Sequence, residues 1–543
     1  MATANPKLFV RNATGLVRDY GATDVLLFAS AMVFALVYTT VQFAWFYGNT
    51  QGADLPSSLL VASIPFIFLM FTYWAISLVM PRTGSDYVWV SRIFSPSIGF
   101  VWSLIYMLMV FITGFCAQVT AFTFAFSISL TTGGLISGSQ SLTNMGTFLS
   151  SGNGTFLLFI AFSVIFGLFA IFGTKFVKGL LYISWVAAIA GIGIMWYILS
   201  TTSNATFINH WNSMLSSFGS SASYNALQSQ ALAHGAQSSI TSTTGIVVAL
   251  PLAALFLFGS NNVNAFAGEM KNIKRTVPIA IFVSLFLGIA YWAITSYLTL
   301  GTVGAHWMSQ IGYGFENPSS GGYTLPFAPS QPLFLAVAAY PNSSLISVMF
   351  FTYLLGSVAP IFTFFWISTK YIFAWSFDRV VPTKFSDVIQ RFSTPYVAIT
   401  ALSILGVLFA IPFVYYGWGS TFTFGSVIWG LCLIIPGLGL AVFPWVKKEL
   451  FNNGPGWTSK KIGGFPIVSI FGILTALGWG YLGYIAFSNA LYGNAAVGGL
   501  NAFSVELVAA IIIIGFAIYG TSYYYHKSKG INIRLAFTEI PPE

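Results

Sequence analysis

The sequence predicts an all-α polytopic membrane protein with about twelve transmembrane helices, and three observations lead to this fold class. Hydrophobic residues make up 56% of the 543-residue chain and charged residues only 6%, too few to cover a water-soluble surface. The apolar residues form separate segments of roughly 20 residues or more, the length of helix that crosses a bilayer. Lysines and arginines recur after every second segment, as expected if the chain crosses the bilayer repeatedly.

The apolar segments are numbered here as spans one to twelve in chain order. Each is predicted to be a helix, because lipid offers no hydrogen-bond partner to an exposed backbone. Spans three and eight are longer than a crossing requires, so we expect them to tilt or to extend beyond the bilayer. The spans cover residues 24–47, 57–80, 98–130, 155–173, 180–200, 244–267, 277–300, 334–369, 396–416, 421–445, 464–488 and 503–524.

The basic residues give the orientation of the chain in the membrane. All 21 lysines and arginines lie before span one or after an even-numbered span. Because basic loops are retained in the cytoplasm, both termini are predicted to be cytoplasmic. The clusters are Lys7 to Arg18, Arg82 to Arg92, Lys175 and Lys178, Lys271 to Arg275, Lys370 to Arg391, Lys447 to Lys461, and Lys527 to Arg534.

The segments on the opposite side have a different composition. Residues 131–154 and 201–242 are rich in Ser, Thr, Gly and Asn and contain no Lys, Arg, Asp or Glu. They are predicted to be flexible exterior connectors. Residues 301–333 contain His306, Glu316 and several Gly and Pro, so this segment is a candidate for a folded cap over an entrance.

Several other classes of protein are disfavoured. The net charge of +9 is dispersed over cytoplasmic loops, which argues against nucleic-acid binding. Residues 1–24 lack the apolar core of a signal peptide, so span one is expected to remain in the mature protein. Cys116 and Cys432 lie in apolar stretches and predict no disulfide. The sequence contains no zinc-ligand spacing and no phosphate-binding loop, so we expect no metal site and no cofactor.

Three cytoplasmic segments carry motifs. The first, after span two, is Pro81-Arg-Thr-Gly-Ser-Asp-Tyr-Val-Trp-Val-Ser-Arg92. The second, after span six, is Glu269-Met-Lys-Asn-Ile-Lys-Arg-Thr-Val-Pro278. The third, after span eight, includes Phe377-Asp-Arg-Val-Val-Pro382 and a later Thr-Pro pair. In this order the three segments resemble those of prokaryotic permeases of the amino acid, polyamine and organocation (APC) family, except that Ile273 replaces a proline.

The resemblance implies a leucine-transporter type of fold, with the whole chain, 1–543, as one transporter domain. Spans one to five (1–200) and six to ten (244–445) would be inverted repeats, and spans eleven and twelve (464–524) would be peripheral. The resemblance implies a secondary active transporter rather than an enzyme. This transporter would move amino acids or related amines across the plasma membrane by alternating access. Its partners would be a small solute and the lipid bilayer. A solute sensor, or a permease for a nucleobase or polyamine, stays an alternative, and the oligomeric state is left open.

The same resemblance points to a binding site where the first helix of each repeat is broken at mid-membrane. In span six, Phe258, Gly259, Ser260 and Asn261 place a glycine and polar groups inside an apolar helix. Glycine favours a break, and an amide offers both a donor and an acceptor. These four residues are therefore predicted to bind substrate. The alternative is that such small and polar residues mediate helix packing.

Span one departs from the family pattern. The family's glycine-rich break falls on Ala35, Val37 and Tyr38, followed by Thr39 and Thr40, and none of these is a glycine. We predict that these five residues complete the substrate site. A standard α-amino-acid substrate is put in doubt, because the family holds its carboxylate with the glycine-rich break. A ligand of another shape, or a carboxylate held by threonine hydroxyls, stays open.

The ion that drives transport is not apparent from the spans. No Lys, Arg, Asp, Glu or His lies near the middle of a predicted span. Trp185 occupies the place of a span-five lysine that substitutes for sodium in some APC members, which disfavours a lysine-based proton mechanism. Sodium held by span one and the Ser357 region, a proton, or simple exchange all stay open. Glu269, at the cytoplasmic end of span six, is predicted to be a gate or to form a helix-end salt bridge.

Overall fold

The structure is a computed structural model that describes residues 16–34, 43, 46–217, 222–237, 241–317, 332–340, 342–416, 424–493 and 500–537. In these ranges 11 helices are long and apolar enough to cross a bilayer. A shorter apolar helix, Ala22–Phe34, forms the described start of span one. The prediction of an all-α polytopic membrane protein is confirmed.

The observed helices follow the predicted spans closely. Span one begins with Ala22–Phe34 and span two is Leu55–Val79. Span three runs through Pro96–Met109, a π-helical segment Val110–Cys116, and Ala117–Ser137. Spans four to seven are Gly152–Ile171, Thr174–Thr201, Thr243–Leu255 with its continuation described below, and Ile273–Val303. Spans eight to twelve are Ser343–Gly356 with Val358–Phe377, Tyr396–Tyr415, Phe424–Cys432 with Ile434–Val446, Ile467–Ser488, and Ala502–Ser528.

Short elements join the spans. On the predicted cytoplasmic side these include the helices Ser85–Ile93 and Lys448–Asn452 and the 3₁₀ turns Thr383–Ser386, Gly456–Ser459 and Ile533–Phe537. A further 3₁₀ turn, Ala490–Gly493, follows span eleven on the other side. Within the described residues the only sheet is a hairpin of β1 (Lys461–Ile462) and antiparallel β2 (Phe465–Pro466).

Local sequence signals explain where several spans begin. The Asp54 carboxylate accepts a hydrogen bond from Ser57 N at 2.9 Å and caps span two, which has a proline in its first turn. Ser95 caps span three through Ile98 N at 3.2 Å. Such caps satisfy backbone donors that lipid cannot.

Two exterior segments predicted to be flexible connectors are largely helical, so that prediction was wrong. Gln140–Ser150, Asn204–Ser217 and Tyr224–Ala233 are helices in the described structure. The physical reason is visible in the second of them, where Phe207, Trp211 and Leu215 recur every four residues and are buried. A Ser- and Asn-rich composition hid this apolar face.

The third exterior segment is folded, as expected, over the part that is described. Helix Ala305–Glu316 packs on Tyr224–Ala233, and Trp307 stacks on Tyr224 with ring centroids 4.8 Å apart. Residues 318–331 of the candidate cap lie outside the described residues. Span eight starts at Ser343 rather than 334, because Pro332–Ala339 is a separate buried helix.

The two halves of the chain have corresponding packing partners. Span one packs on span seven and span six on span two, while span five packs on span eight and span ten on span three. Spans two and seven contact each other, as do spans four and nine. Such matching pairs of packed spans are expected if spans one to five and six to ten are related by a twofold axis. They support the inverted repeat, which stays a prediction.

Candidate functional site

Span six is broken at the glycine on which the sequence prediction centred. Helix Thr243–Leu255 ends, and after Gly259 the chain continues as 3₁₀ turns, Ser260–Ala265 and Ala267–Glu269. The φ of Gly259 is 116°, a conformation that side chains disfavour. A Cβ there would lie 2.6 Å from Met32 Cβ in span one. Both backbone conformation and contact with span one therefore require a glycine.

The break brings the carbonyl end of the helix Thr243–Leu255 close to span one. The indole nitrogen of Trp292, in span seven, donates to Val33 O of span one at 3.2 Å and to Phe256 O at 3.0 Å. Phe256 follows the last residue of Thr243–Leu255. A helix C-terminus carries a partial negative charge, so this end favours a cation near it.

A small cavity of about 30 Å³ lies beside this break, between spans one, three, six, eight and ten. It is smaller than a typical small-molecule site, but its walls are likewise mostly apolar or aromatic. None of its lining residues is charged. The lining residues are Met32, Val33, Thr113, Gln118, Leu255, Phe256, Phe258, Phe364, Ser426 and Trp429.

The four predicted span-six residues have different positions relative to this cavity. Phe258 lines it, and Gly259 packs on span one. Ser260 is buried, with its hydroxyl 3.7 Å from the sulfur of Met70 in span two. Asn261 is buried and donates to the hydroxyl of Tyr106, in span three, at 3.1 Å. Their role in substrate binding stays a prediction.

The asparagines after the break tie it to neighbouring spans. Tyr106 donates to Asn262 Oδ1, and Ser77 of span two donates to Asn264 Oδ1 at 2.9 Å. Asn261 Oδ1 is buried and has no hydrogen-bond partner among the described residues. A buried amide oxygen without a partner is costly, so this atom is available to a ligand donor.

The sequence analysis missed two polar residues of the cavity. Thr113 Oγ1 and Gln118 Oε1 are buried and lack a hydrogen-bond partner within the part of the chain that is described. Thr113 lies in the π-helical segment Val110–Cys116, and π turns are frequent at functional sites. The Thr-Gly pair and the glutamine inside an apolar span were the available signals, but only the fold shows that they face spans six and ten.

The predicted span-one residues cannot be placed. Ala35, Val37, Tyr38, Thr39 and Thr40 lie outside the described residues. The residues just before them do reach the site, because Met32 and Val33 line the cavity.

On the cytoplasmic side, span one is joined to the end of span six. The backbone nitrogens of Asp19 and Tyr20 donate to Glu269 O at 3.0 and 3.1 Å, and Lys271 N donates to Tyr20 O at 2.8 Å. The Glu269 carboxylate is buried and forms an ion pair with Lys370 Nζ of span eight at 2.6 Å. The expected salt bridge is thus present, and a gating role for Glu269 stays a prediction.

A second buried ion pair joins the first and third motifs. Arg92 donates to both carboxylate oxygens of Asp378, at 2.7 and 2.9 Å, and its guanidinium also donates to Ala536 O at 3.2 Å. Removal of one partner from such a pair leaves an uncompensated buried charge. These contacts show how three motifs far apart in the sequence meet on one face of the protein.

On the opposite side, the exterior end of span one is also held. Tyr47 and Ser296 share a hydrogen bond at 2.7 Å, and Ser242 N donates to Gly52 O at 2.7 Å. Gly48 packs against helix Ala305–Glu316, where a Cβ would lie 2.6 Å from Gly312 O. Contacts therefore fix span one on both sides of the cavity.

The family comparison agrees with this arrangement. The model of a family described as amino acid permease matches residues 26–487, well over half of the chain. The chain belongs to the amino acid permease family. No curated protein matches the chain. The matched residues contain the broken span, the cavity and all three motifs, and the predicted APC resemblance is confirmed.

This permease is therefore a multi-pass membrane protein of a family that transports amino acids or related amines, rather than a member of an enzyme family. In span five, Trp185 of the permease donates its indole hydrogen to Leu27 O of span one at 2.8 Å. A group that does not titrate thus contacts span one there, and a lysine-based proton mechanism stays disfavoured.

Proposed function

We propose that this permease is a secondary transporter that moves amino acids with uncharged, apolar side chains across the plasma membrane by alternating access. The observation that carries the proposal is the uncharged cavity beside the broken span six, bounded on one side by the carbonyl end of the helix Thr243–Leu255. The basic clusters support cytoplasmic termini.

The cavity offers a separate environment to each part of such a substrate. The carbonyl end at Phe256, with the unpartnered Gln118 Oε1, suits an ammonium group. The Thr113 hydroxyl can donate to a carboxylate, a role also proposed for Thr39 and Thr40. Aromatic walls suit an apolar side chain, whereas a second charge would be desolvated without a partner.

The contacts at the two ends of span one support alternating access. The cytoplasmic end is held by backbone pairs around Glu269, and the exterior end by Gly48, Gly52 and Tyr47. Release of one set while the other persists would connect the cavity to one side of the membrane at a time. In this account, substrate binding biases the equilibrium between the two arrangements.

Counterflow in proteoliposomes tests the substrate class. Purified permease is loaded with one unlabelled solute and exposed to a trace of the same radiolabelled solute outside. We expect exchange of leucine- or phenylalanine-like amino acids and little exchange of lysine, glutamate or putrescine. Exchange of putrescine or a nucleobase without any amino acid would overturn the proposal, and binding without flux would favour a sensor.

Variants of two polar residues of the cavity test whether these residues bind the substrate. Gln118→Ala and Thr113→Val each remove one neutral hydrogen bond, worth about 1 kcal/mol, so the affinity should fall by roughly fivefold to tenfold. Thr147→Val, on the exterior helix Gln140–Ser150, is the control and should bind normally. Unchanged affinity in both cavity variants would move the substrate elsewhere.

A further inference from the structure

Asp86 is a buried carboxylate for which the proposed transport cycle has so far no use. It lies in the first motif, on helix Ser85–Ile93, and is 2% exposed. Its carboxylate accepts hydrogen bonds from the hydroxyls of Tyr371 at 2.7 Å and Tyr73 at 3.1 Å, and from Tyr87 N at 3.0 Å. A buried charge normally requires an ionic partner or neutralisation by a proton.

No cation pairs with Asp86 in the described part of the chain. Lys370, the neighbour of Tyr371, is paired with Glu269, and Arg92, on the same helix as Asp86, is paired with Asp378. The titratable groups that face Asp86 from the surrounding spans are themselves acids: Tyr73 of span two, Tyr106 of span three, Tyr371 of span eight and Cys432 of span ten.

These surroundings favour the protonated form at mildly acidic pH. Burial raises the pKa of Asp86 to about 6, although the hydrogen bonds from Tyr371 and Tyr73 act in the opposite direction. A carboxyl whose pKa is raised keeps its proton to a higher pH than a carboxyl in water. The protonated form is favoured in the buried site below about pH 6, and ionisation is favoured as the pH rises or as water reaches the site.

A chain of hydroxyl groups leads from Asp86 to the break in span six. Tyr73 donates to the carboxylate of Asp86 at 3.1 Å, and its hydroxyl lies beside that of Tyr106. Tyr106 in turn donates to Asn262 and accepts from Asn261. The chain thus runs from a buried carboxyl near the cytoplasmic face to the residues that follow Gly259.

We propose that Asp86 is the group that binds the coupling proton of this permease, and that Tyr73 and Tyr106 transmit its protonation state to span six. With Asp86 ionised, the Tyr73 hydroxyl donates to the carboxylate. When a proton binds a carboxylate oxygen, the new O–H donates to Tyr73, which then donates to Tyr106. One O–H bond forms, the hydrogen bond between Asp86 and Tyr73 reverses its direction, and the freed Tyr73 proton forms a new hydrogen bond to Tyr106.

The position of Asp86 gives this proton a route through the cycle. Gly84, two residues before Asp86, donates to Ala265 O at 2.7 Å, so Asp86 lies beside the 3₁₀ turns that lead from the break to Glu269. In this proposal a proton reaches Asp86 through the hydroxyls while the contacts of Glu269 are closed. When they open, water reaches Asp86, its pKa falls toward the ordinary value, and the proton leaves to the cytoplasm. Each cycle would then carry one proton with one amino acid.

The role of Asp86 depends on the proposed function, but the experiment distinguishes failure of the one from failure of the other. Exchange by counterflow needs no net proton movement, whereas accumulation driven by an imposed pH gradient does. We expect Asp86→Asn to retain exchange within about threefold of wild type but to lose both gradient-driven accumulation and proton uptake reported by a pH-sensitive dye. Accumulation by Asp86→Asn equal to that of wild type would overturn the inference.

A second variant tests the same site without removing the carboxyl. Tyr371→Phe deletes a donor to the ionised form, so the midpoint of the transport pH profile should move in the alkaline direction by about one pH unit. Tyr415→Phe removes a hydroxyl that bonds Asn153 at the exposed end of span nine and should leave the midpoint unchanged. If Asp86→Asn fails to fold, the shift of the pH midpoint in Tyr371→Phe tests the inference by itself. An unshifted midpoint would overturn the inference.

The behaviour of the wild type separates the remaining outcomes. Amino acid exchange with no proton flux, or accumulation driven only by a sodium gradient, would overturn the role of Asp86 and leave the proposed function intact. A wild-type protein that exchanges no amino acid would overturn both.

Discussion

Gly259 is the residue at which backbone conformation and the transport pathway meet. Its positive φ and its contact with Met32 allow the cytoplasmic half of span one to lie directly against the break in span six. A glycine at such a position costs backbone entropy in a helix but permits a conformation that other residues reach only with strain. The same close packing brings the carbonyls of Val33 and Phe256 within reach of one donor, the indole nitrogen of Trp292.

We expect Gly259→Leu to abolish substrate binding, because its side chain would collide with Met32 and its conformation would cost about 1 to 3 kcal/mol. Leucine is favourable in lipid, so membrane insertion should persist. Gly193→Leu is the matched control, since a Cβ at Gly193 of span five would meet no atom within 4 Å. Equilibrium binding to the purified variants is the measurement. Normal binding by Gly259→Leu would contradict the role assigned to the break.

The pair of Glu269 and Lys370 can be tested by a double-mutant cycle. Lys370→Met leaves a buried carboxylate uncompensated and should destabilise the protein by about 3 to 5 kcal/mol. Glu269→Gln combined with Lys370→Met should recover most of this loss, as measured by the midpoint of unfolding in detergent. Transport by this double variant then distinguishes the two roles predicted for Glu269, a gate or a salt bridge. A stable double variant that transports normally would exclude gating by this pair.

At the scale of the helices, the membrane explains why prediction worked well for the spans. Backbone that faces lipid must be hydrogen-bonded within an apolar helix, so most span boundaries agree with the apolar pattern to within a few residues, as for span nine at Tyr396–Tyr415. The exterior imposes no such requirement, and the helix Asn204–Ser217 was missed because its polar composition masked three buried apolar residues.

The site was less accessible to sequence reasoning than the spans. The break at Gly259 was marked by its own residues, whereas the cavity depends on contacts between spans that are distant in the chain. Asp86 illustrates this limit, since its partner Tyr371 is 285 residues away. A pattern of apolar residues contains no information about which hydroxyl will meet which carboxylate.

The exterior end of span one offers a test of helix movement. Gly48→Leu should hold span one away from helix Ala305–Glu316, because a Cβ at Gly48 would lie 2.5 Å from Glu316 Cγ. We expect a permease biased toward an open exterior, with slowed exchange. Gly133→Leu is the control, since a Cβ there meets no atom within 4 Å. Wild-type exchange by Gly48→Leu would show that this contact does not take part in closure.

At the scale of the whole molecule, the distribution of basic residues predicts the orientation. Single cysteines at Ser213 and Lys384, both exposed, should react with an impermeant maleimide from the exterior and the cytoplasmic side respectively. Ser85, also on the predicted cytoplasmic side, is buried and unsuitable for this labelling. Reaction of both positions from the same side would contradict the topology.

The central claim is that one cavity, beside the break in span six, opens alternately to the two sides of the membrane. Its most direct test places a single cysteine at Ser426, which lines the cavity, after the native Cys116 and Cys432 are replaced by alanine. The rate of reaction with an impermeant maleimide is measured from the exterior and, in inverted vesicles, from the cytoplasmic side. We predict reaction from both sides, slowed in each case by a transported amino acid. Reaction from one side only, or rates that no amino acid changes, would contradict the account.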